Sequence, residues 1–219
     1  MKHMPGSLFE GYVAFKYGRF RTERARYHEL AKKGQKPDVM IIGCCDSRAA
    51  PEMIFDAVPG ELFVVRNVAN LVPPYAPDGE YHSTSAALEY AVQVLRVGHI
   101  VVLGHARCGG IAAALQEDSE PLSPGDFIGK WMSLTEAAKQ DLVNHAPVAP
   151  ESRTETMEKL SILRSLENLR SFPCISIIEE RGRTALHGAY FDIETGVLSW
   201  YDRASGWFRP VEVGLQPPV

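Results

Sequence analysis

The sequence predicts an α/β fold with a mostly parallel central sheet, helices on both faces, an antiparallel edge strand near the C-terminus and an N-terminal helical arm. Three short apolar runs rich in β-branched residues are typical of strands buried on both faces. A segment with helical spacing links the second run to the third, and this order of elements favours parallel pairing. A hairpin pattern late in the chain adds the antiparallel strand.

The first half of the chain begins with a helical arm. Charged and aromatic residues alternate over residues 7–33, which predicts two helical pieces broken near Gly18. The three buried strands are predicted at 38–43 (DVMIIG), 61–66 (ELFVVR) and 99–104 (HIVVLG). Apolar residues at helical spacing over 83–97 predict the helix that crosses between the second and third strands.

The second half of the chain is predicted to add two helices and a hairpin. The amphipathic helices span 126–146 and 151–171, with Pro147 and Pro150 as the break between them. The hairpin strands span 184–192 and 197–201, and a Gly-containing turn joins them. We find no repeat, low-complexity tract or linker, so one domain covering 1–219 is the economical interpretation.

Composition excludes several classes of protein. The 23 Lys and Arg residues against 27 Asp and Glu residues give a net charge of −4 without a basic stripe, which argues against nucleic-acid binding. No apolar run approaches the roughly 18 residues of a membrane span, and the first residues hold no signal-peptide core. Four cysteines are too few for a disulfide-stapled secreted domain, so we expect reduced thiols and a cytoplasmic protein.

Reactive side chains follow two of the predicted strands. The segment CCDSR (44–48) follows the first strand, and HARCGG (105–110) follows the third. Parallel sheets bind ligands beyond the C-terminal ends of their strands, and thiolates with an imidazole suit zinc. His105 and Cys108 are close enough in sequence to turn toward one ion. On spacing alone, either Cys44 or Cys45 could reach that ion from the neighbouring strand end.

Each of these residues also has a simpler interpretation. A single cysteine at a strand end is more often a small buried apolar side chain, and a single histidine is more often a hydrogen-bonded structural group. A redox pair is disfavoured because no C-x-x-C occurs and adjacent cysteines have poor disulfide geometry. The zinc deaminase pattern is absent as well. The coincidence of three zinc-type ligands at neighbouring strand ends nevertheless favours a zinc site.

Asp46 and Arg48 form the second feature of the first loop. Two residues apart on a strand-to-helix turn, they can face each other in a charge-assisted hydrogen bond. Such a pair could simply hold the turn. In a zinc site, Arg48 would keep Asp46 ionised and oriented to accept a proton or a hydrogen bond from a water molecule on the metal.

These motifs resemble those of the β-class carbonic anhydrases. The likeness rests on C-x-D-S-R at 44–48 and H-x-x-C-G at 105–109, with His105 61 residues after Cys44. Further matching stretches, in the family's order, are 59–70 (PGELFVVRNVAN), 72–74 (VPP), 89–92 (EYAV) and 186–190 (LHGAY). The resemblance covers roughly residues 8–202. It implies reversible hydration of carbon dioxide to bicarbonate and a proton, through attack by zinc-bound hydroxide.

The resemblance also implies roles for individual residues. Zinc would be held by Cys44, His105 and Cys108. Asp46 would hydrogen-bond the water on zinc in an open form, or bind zinc as a fourth ligand in a closed form, with Arg48 competing for it. The substrate pocket of the family lies at a dimer interface. The residues aligned with its lining here are Gln35, Phe63, Tyr90 and Gly109.

The same resemblance favours one branch of the family and an oligomeric protein. An inhibitory bicarbonate site in the other branch uses a Trp, an Arg and a Tyr. Here Ile41 and Phe191 stand at the Trp and Tyr positions beside Arg66, so the open-form, plant- and bacterial-like branch is favoured. The arm at 7–33 would pack on a partner subunit, which implies a homodimer or a larger assembly.

Two other functions stay open at this point. The same scaffold could hydrolyse another small linear electrophile such as carbon disulfide, and turnover on the two substrates would decide. Zinc could also serve as a structural pin in a non-enzymatic bicarbonate-binding or regulatory protein. The Asp46–Arg48 pair argues against that role, because a structural zinc site has four protein ligands and needs no poised carboxylate. The sequence does not select a proton-transfer residue among His82, His99 and His187.

Overall fold

A six-stranded mixed sheet forms the centre of the computed structural model, which describes residues 4–77, 82–116, 120–144, 149 and 152–214. The strands are β1 (Val39–Cys44), β2 (Leu62–Asn67), β3 (His99–His105), β4 (Ala185–Phe191), β5 (Leu198–Asp202) and β6 (Trp207–Pro210). Their order is β2-β1-β3-β4-β5-β6, with β1 to β4 parallel and β5 and β6 antiparallel. The predicted fold class is confirmed, and β6 is a further antiparallel strand.

The helices follow the predicted order with more breaks. They are α1 (Gly6–Tyr17), α2 (Arg19–Thr22), α3 (Arg24–Lys33), α4 (Pro51–Ile54), α5 (Ser83–Glu89), α6 (Gly109–Ala114), α7 (Phe127–Met132), α8 (Glu136–Asn144), α9 (Arg153–Arg170) and α10 (Pro173–Glu180). The predicted crossover helix is α5 continued by a π-helical stretch, Tyr90–Leu95. The helix predicted at 126–146 is divided by a 3₁₀ turn, Ser133–Thr135. The predicted break at Pro147 and Pro150 lies outside the described residues.

Strand register places the loops after β1 (44–48) and β3 (106–108) together, at the C-terminal ends of the parallel strands. Val39 of β1 pairs with His99 of β3, and Gly43 pairs with Leu103. Both strands run in the same direction, so Cys44 and His105 leave the sheet side by side. The order of the strands therefore brings together two segments that are far apart in the sequence.

Apolar side chains cover both faces of the sheet. On one face, Ile42 and Ile100 pack with residues of α5, α9 and α10 and are completely buried. On the other face, Ile41 and Val101 pack with Ile54 of α4. Alternate residues of β1 and β3 thus enter opposite layers, which explains why these two strands contain almost no polar residues. The prediction that the second strand is buried on both faces is wrong: β2 lies at the edge of the sheet, and its residues are half-buried or exposed.

The N-terminal arm is attached at its base and has an exposed tip. Arg19 donates a hydrogen bond to the carbonyl of Ala57 at 2.9 Å, which ties α2 to the loop before β2. None of the residues of α1 is buried, and Leu8 and Phe9 are 61% and 57% exposed. Among the described residues, no helix has the length and apolar character needed to cross a lipid bilayer.

Candidate metal centre

Three side chains converge where β1 and β3 end. Cys44 closes β1, His105 closes β3, and Cys108 is the N-cap residue of α6. Their ligand atoms all lie within 4.8 Å of one another, and all three residues are buried. It is the one such group of three or more His, Cys, Asp or Glu residues that the described part of the chain contains. Cys45 is exposed and lies outside the group.

The histidine of this group has a free nitrogen directed into the protein. Nδ1 of His105 lies 2.9 Å from the carbonyl oxygen of Ala106. A carbonyl can only accept, so Nδ1 carries the proton and Nε2 presents a lone pair. Nε2 is buried and has no hydrogen-bond partner. A buried polar atom without a partner is costly, and a metal ion at this point would satisfy it.

The two thiols of the group shift each other's pKa in opposite directions. The hydrogen bond from Cys108 is the largest cause that lowers the pKa of Cys44, and backbone N–H groups of Asp46 and Ala69 act in the same direction. The same contact with Cys44, followed by burial, raises the pKa of Cys108. Both thiols must lose their protons to bind a metal ion, so metal binding at this group would release protons.

Asp46 is held by Arg48 at the rim of the group. The Arg48 side chain donates to Oδ1 at 2.9 Å and to Oδ2 at 2.7 Å, and its backbone N–H donates to Oδ1 at 3.0 Å. These hydrogen bonds hold the pKa of Asp46 far below its usual range. Oδ2 lies 3.9 Å from Nε2 of His105, so the carboxylate borders the group without joining it.

Arginine side chains hold the backbone of the loop that follows β1 (the first loop, 44–48) and reach the loop that follows β3 (the second loop, 106–108). Arg66 donates to the carbonyl oxygens of Cys44 and Asp46, both at 2.7 Å. Arg48 also reaches the second loop, where it donates to the carbonyl of Arg107 at 3.2 Å. Both loops are therefore positioned by hydrogen bonds to main-chain atoms as well as by the sheet.

A buried carboxylate under the second loop escaped the sequence interpretation. Glu158 of α9 is 3% exposed, and burial raises its pKa. It accepts hydrogen bonds from the Cys108 N–H at 2.7 Å and from the Tyr190 hydroxyl at 2.8 Å. One signal was present: Ser161 and Ser165 follow at helical spacing and are also buried, so Glu158 lies on the inner face of α9.

The other predicted pocket residues are distributed unevenly. Gly109 directly follows Cys108 and begins α6. The rings of Phe63 and Tyr90 lie together, with centroids 5.9 Å apart. Asn67 pairs with Cys44, and Phe63 is four residues before Asn67 in β2. Phe63 is therefore displaced by about 13 Å along the strand from the level of Cys44. Gln35 is exposed and precedes β1, at the opposite end of that strand from Cys44.

Two of the three histidines considered for proton transfer lie away from the cysteine–histidine group. His99 Nδ1 and His187 Nε2 are 3.1 Å apart, and His99 is the first residue of β3. His105 is the last residue of the same strand, about 20 Å away. His82 precedes α5. The structure therefore places His99 and His187 toward the N-terminal ends of β3 and β4, whereas the cysteine–histidine group lies at the C-terminal ends of β1 and β3.

Comparisons with known proteins agree on one family. Residues 39–198 match the family model described as "Carbonic anhydrase". A carbonic anhydrase of Pseudomonas aeruginosa is 36% identical, over 97% of this chain and 93% of its own length. β-Carbonic anhydrase 3 of Arabidopsis thaliana is 34% identical, over 88% of this chain and 74% of its own.

Solved structures give the same result. The β-carbonic anhydrase CcaA has a TM-score of 0.87 and 32% identity, covering 94% of this chain and 92% of its own. A structure from a study of two tetrameric β-carbonic anhydrases of Sordaria macrospora has a TM-score of 0.70 and 31% identity, covering 89% and 91%.

Proposed function

Because the chain belongs to the β-carbonic anhydrase family, we propose that Cys44, His105 and Cys108 bind the catalytic zinc ion of this enzyme. The enzyme catalyses the reversible hydration of carbon dioxide to bicarbonate and a proton. Zinc supplies a Lewis acid that makes water a nucleophile near neutral pH, because it lowers the pKa of that water to about 7. The observation that carries the assignment is the buried group of donor atoms within 4.8 Å, with Nε2 of His105 unpartnered.

We propose that Asp46 is the acceptor for the proton or hydrogen bond of the reacting water. Its hydrogen bonds with Arg48 keep it ionised and fix both of its oxygens. Its position beside His105, outside the ligand group, supports the open form of the site. Arg66 is occupied by the carbonyls of Cys44 and Asp46, which adds support for the open-form branch.

We propose further that the enzyme acts as a homodimer or a larger assembly. Tyr90 is 44% exposed and packs against Phe63, and this pair is remote from the cysteine–histidine group of its own chain. Gln35, Phe63 and Tyr90 would line the carbon dioxide and bicarbonate pocket of a partner subunit, next to the Gly109 backbone. The exposed apolar side chains of α1 support a role for the arm at 7–33 in the same contact. The Sordaria macrospora relatives are described as tetrameric.

Two broader proposals concern the whole chain. We interpret residues 1–219 as a single domain, supported by one continuous sheet that reaches from β2 to β6.

We place the enzyme in the cytoplasm, and the support is that its four cysteines are all free. Cell fractionation with an antibody against the chain tests the location.

Metal analysis of matched cysteine variants tests the ligand assignment. Purified wild-type protein is expected to carry about one zinc ion per chain and to hydrate carbon dioxide in a stopped-flow indicator assay. Cys108→Ser and His105→Ala are expected to lose zinc and activity together. Cys45→Ser is the control, because this thiol is exposed and outside the group. A fully metallated and active Cys108→Ser protein would refute the assignment, as would wild-type protein without metal.

A further inference from the structure

The buried carboxylate of Glu158 links the loop that carries Cys108 to β4, the strand that pairs with β3. One oxygen, Oε1, accepts the backbone N–H of Cys108, and the other, Oε2, accepts the hydroxyl of Tyr190. Tyr190 pairs in register with Gly104, the residue directly before His105. Glu158 therefore contacts the peptide of one proposed ligand and a residue of β4 that pairs one position before His105.

The peptide that Glu158 holds determines where the Cys108 thiol points. Arg107 has a left-handed backbone, with φ of 58°, so the chain reverses direction between His105 and Cys108. Cys108 is the N-cap residue of α6 and its backbone is extended, with φ of −69° and ψ of 118°. An N–H group at this position has no carbonyl partner inside the helix. The Glu158 carboxylate supplies the acceptor and so fixes the orientation of the 107–108 peptide.

The environment of Glu158 makes this hydrogen bond hard to replace. Glu158 and Tyr190 are 3% and 4% exposed, so water has little access to either group. The Lys159 ammonium group lies 4.8 Å from the centroid of the Tyr190 ring and closes this side of the contact. Removal of the acceptor would leave the Cys108 N–H buried without a partner.

We propose that Glu158 is a positioning residue: its length and its acceptor oxygens, rather than its charge, hold Cys108 where it meets the same metal ion as His105. The proposal rests on the ligand assignment made above. It gives Glu158 no contact with substrate. Supporting groups of this kind around metal ligands typically change metal affinity by about 10- to 100-fold when they are mutated.

Two conservative variants separate length from charge. Glu158→Gln keeps the length and an acceptor oxygen for the Cys108 N–H, and its amide can donate to the Tyr190 oxygen. Glu158→Asp keeps the charge but is one methylene too short to reach both partners. Ser165→Ala is the matched control, because Ser165 is also buried on α9 and accepts a backbone N–H, that of Val72, at 3.2 Å.

Metal affinity is measured by competition with a chromogenic chelator, using zinc and cobalt(II), together with the absorption spectrum of the cobalt-loaded proteins. Urea unfolding of the metal-free proteins separates ligand geometry from general stability. We expect Glu158→Asp to bind about 10- to 100-fold more weakly and to show shifted thiolate–cobalt bands. Glu158→Gln and Ser165→Ala are expected to keep the affinity and spectrum of the wild type.

Other results would overturn the positioning role. They are an Asp variant that binds like wild type, a Gln variant as weak as the Asp variant, or an equal loss of affinity in Ser165→Ala. If Glu158→Asp does not fold, Tyr190→Phe frees one oxygen of Glu158 and is expected to weaken metal binding in the same direction; unchanged affinity there would also overturn the role. Wild-type protein that binds neither metal would instead refute the ligand assignment itself.

Discussion

A methyl group at position 104 is predicted to collide with the helix that supports the metal centre. Gly104 lies in β3 directly before His105, and a Cβ atom there would be 2.6 Å from Cδ1 and 2.9 Å from Cγ1 of Ile162. Favourable carbon–carbon contacts need about 3.5–4.0 Å. Ile162 is completely buried in α9 and has little room to move. Gly104→Ala is therefore expected to lower the free energy of unfolding by about 1–3 kcal/mol, the usual cost of overpacking a core.

The second change of a mutant cycle removes the nearer of the two atoms that collide. Ile162→Val deletes Cδ1 and alone costs about 0.5–1.5 kcal/mol through lost contacts. In the Gly104→Ala background, the same deletion removes the 2.6 Å clash and leaves only the 2.9 Å approach to Cγ1. The double variant is therefore expected to be more stable than the sum of the single changes predicts, by about 1 kcal/mol, within the range for residues in contact.

Urea unfolding of the four proteins at one fixed concentration measures this coupling. Tryptophan fluorescence reports the transition, and constant m-values show that stability alone has changed. Gly11→Ala is the control, because a Cβ atom at that exposed site of α1 meets nothing within 4 Å, and we expect it not to destabilise the protein. Additivity within about 0.3–0.5 kcal/mol, or a neutral Gly104→Ala, would contradict the reasoning.

Three further predictions concern the site, the His pair and the arm. Asp46→Asn is expected to keep its zinc while kcat falls by about 10²- to 10⁴-fold, the typical contribution of a general base, as measured by metal analysis and stopped-flow hydration. Burial, followed by the charges of His99 and Arg203, lowers the pKa of His187, so the unfolded chain binds its proton more readily than the native protein. Stability from His187 is thus present above the unfolded pKa of about 6.5 and is lost as pH falls through the native pKa. When the pH is lowered from 7.5 to 5.5, urea unfolding should show a smaller decrease in the free energy of unfolding for His187→Gln than for wild type. Deletion of residues 1–17 is expected to lower the sedimentation coefficient through dissociation of the assembly.

Contrary results would be equally specific. Unchanged turnover in Asp46→Asn would remove that carboxylate from the mechanism, and loss of zinc would make it a ligand. An identical pH dependence in wild type and His187→Gln would show that this imidazole titrates alike in the folded and unfolded chains. Unchanged sedimentation after the deletion would leave the arm outside the subunit contact, and Gly11→Ala provides the control for altered helicity alone.

The strands and the proposed ligands were predictable because both follow from local pattern and simple topology. Short apolar runs rich in β-branched residues, such as DVMIIG, are typical of buried strands, and the C-terminal ends of neighbouring parallel strands lie on the same side of the sheet. The choice between Cys44 and Cys45 could not be made from spacing, since a strand turns adjacent side chains to opposite sides. The family resemblance implied Cys44, and the fold agrees with it, because Cys44 is buried in the group while Cys45 is exposed.

The features that escaped prediction depend on contacts distant in sequence. Glu158 looks like an ordinary charge on an amphipathic helix until Cys108 and Tyr190 are placed against it. The four-residue strand β6 has little pattern of its own and exists because it pairs with β5. The helix α6 begins with two glycines, which are poor helix formers. It nevertheless forms, directly after Cys108 at the end of the loop that follows β3.

The spacing of the proposed donors has a consequence for how the protein matures. His105 and Cys108 are neighbours in the chain, but Cys44 is 61 residues before His105 and reaches it only after β1 has paired with β3. Closing so long a loop is slow compared with forming a local turn. In an unfolded chain, His105 and Cys108 can therefore bind zinc only weakly as a pair of ligands. Tight binding of the ion shows that β1 and β3, in the middle of the sheet, have already paired. In a refolding experiment, release of zinc from a dye would mark the pairing of β1 with β3 and would lag behind helix formation.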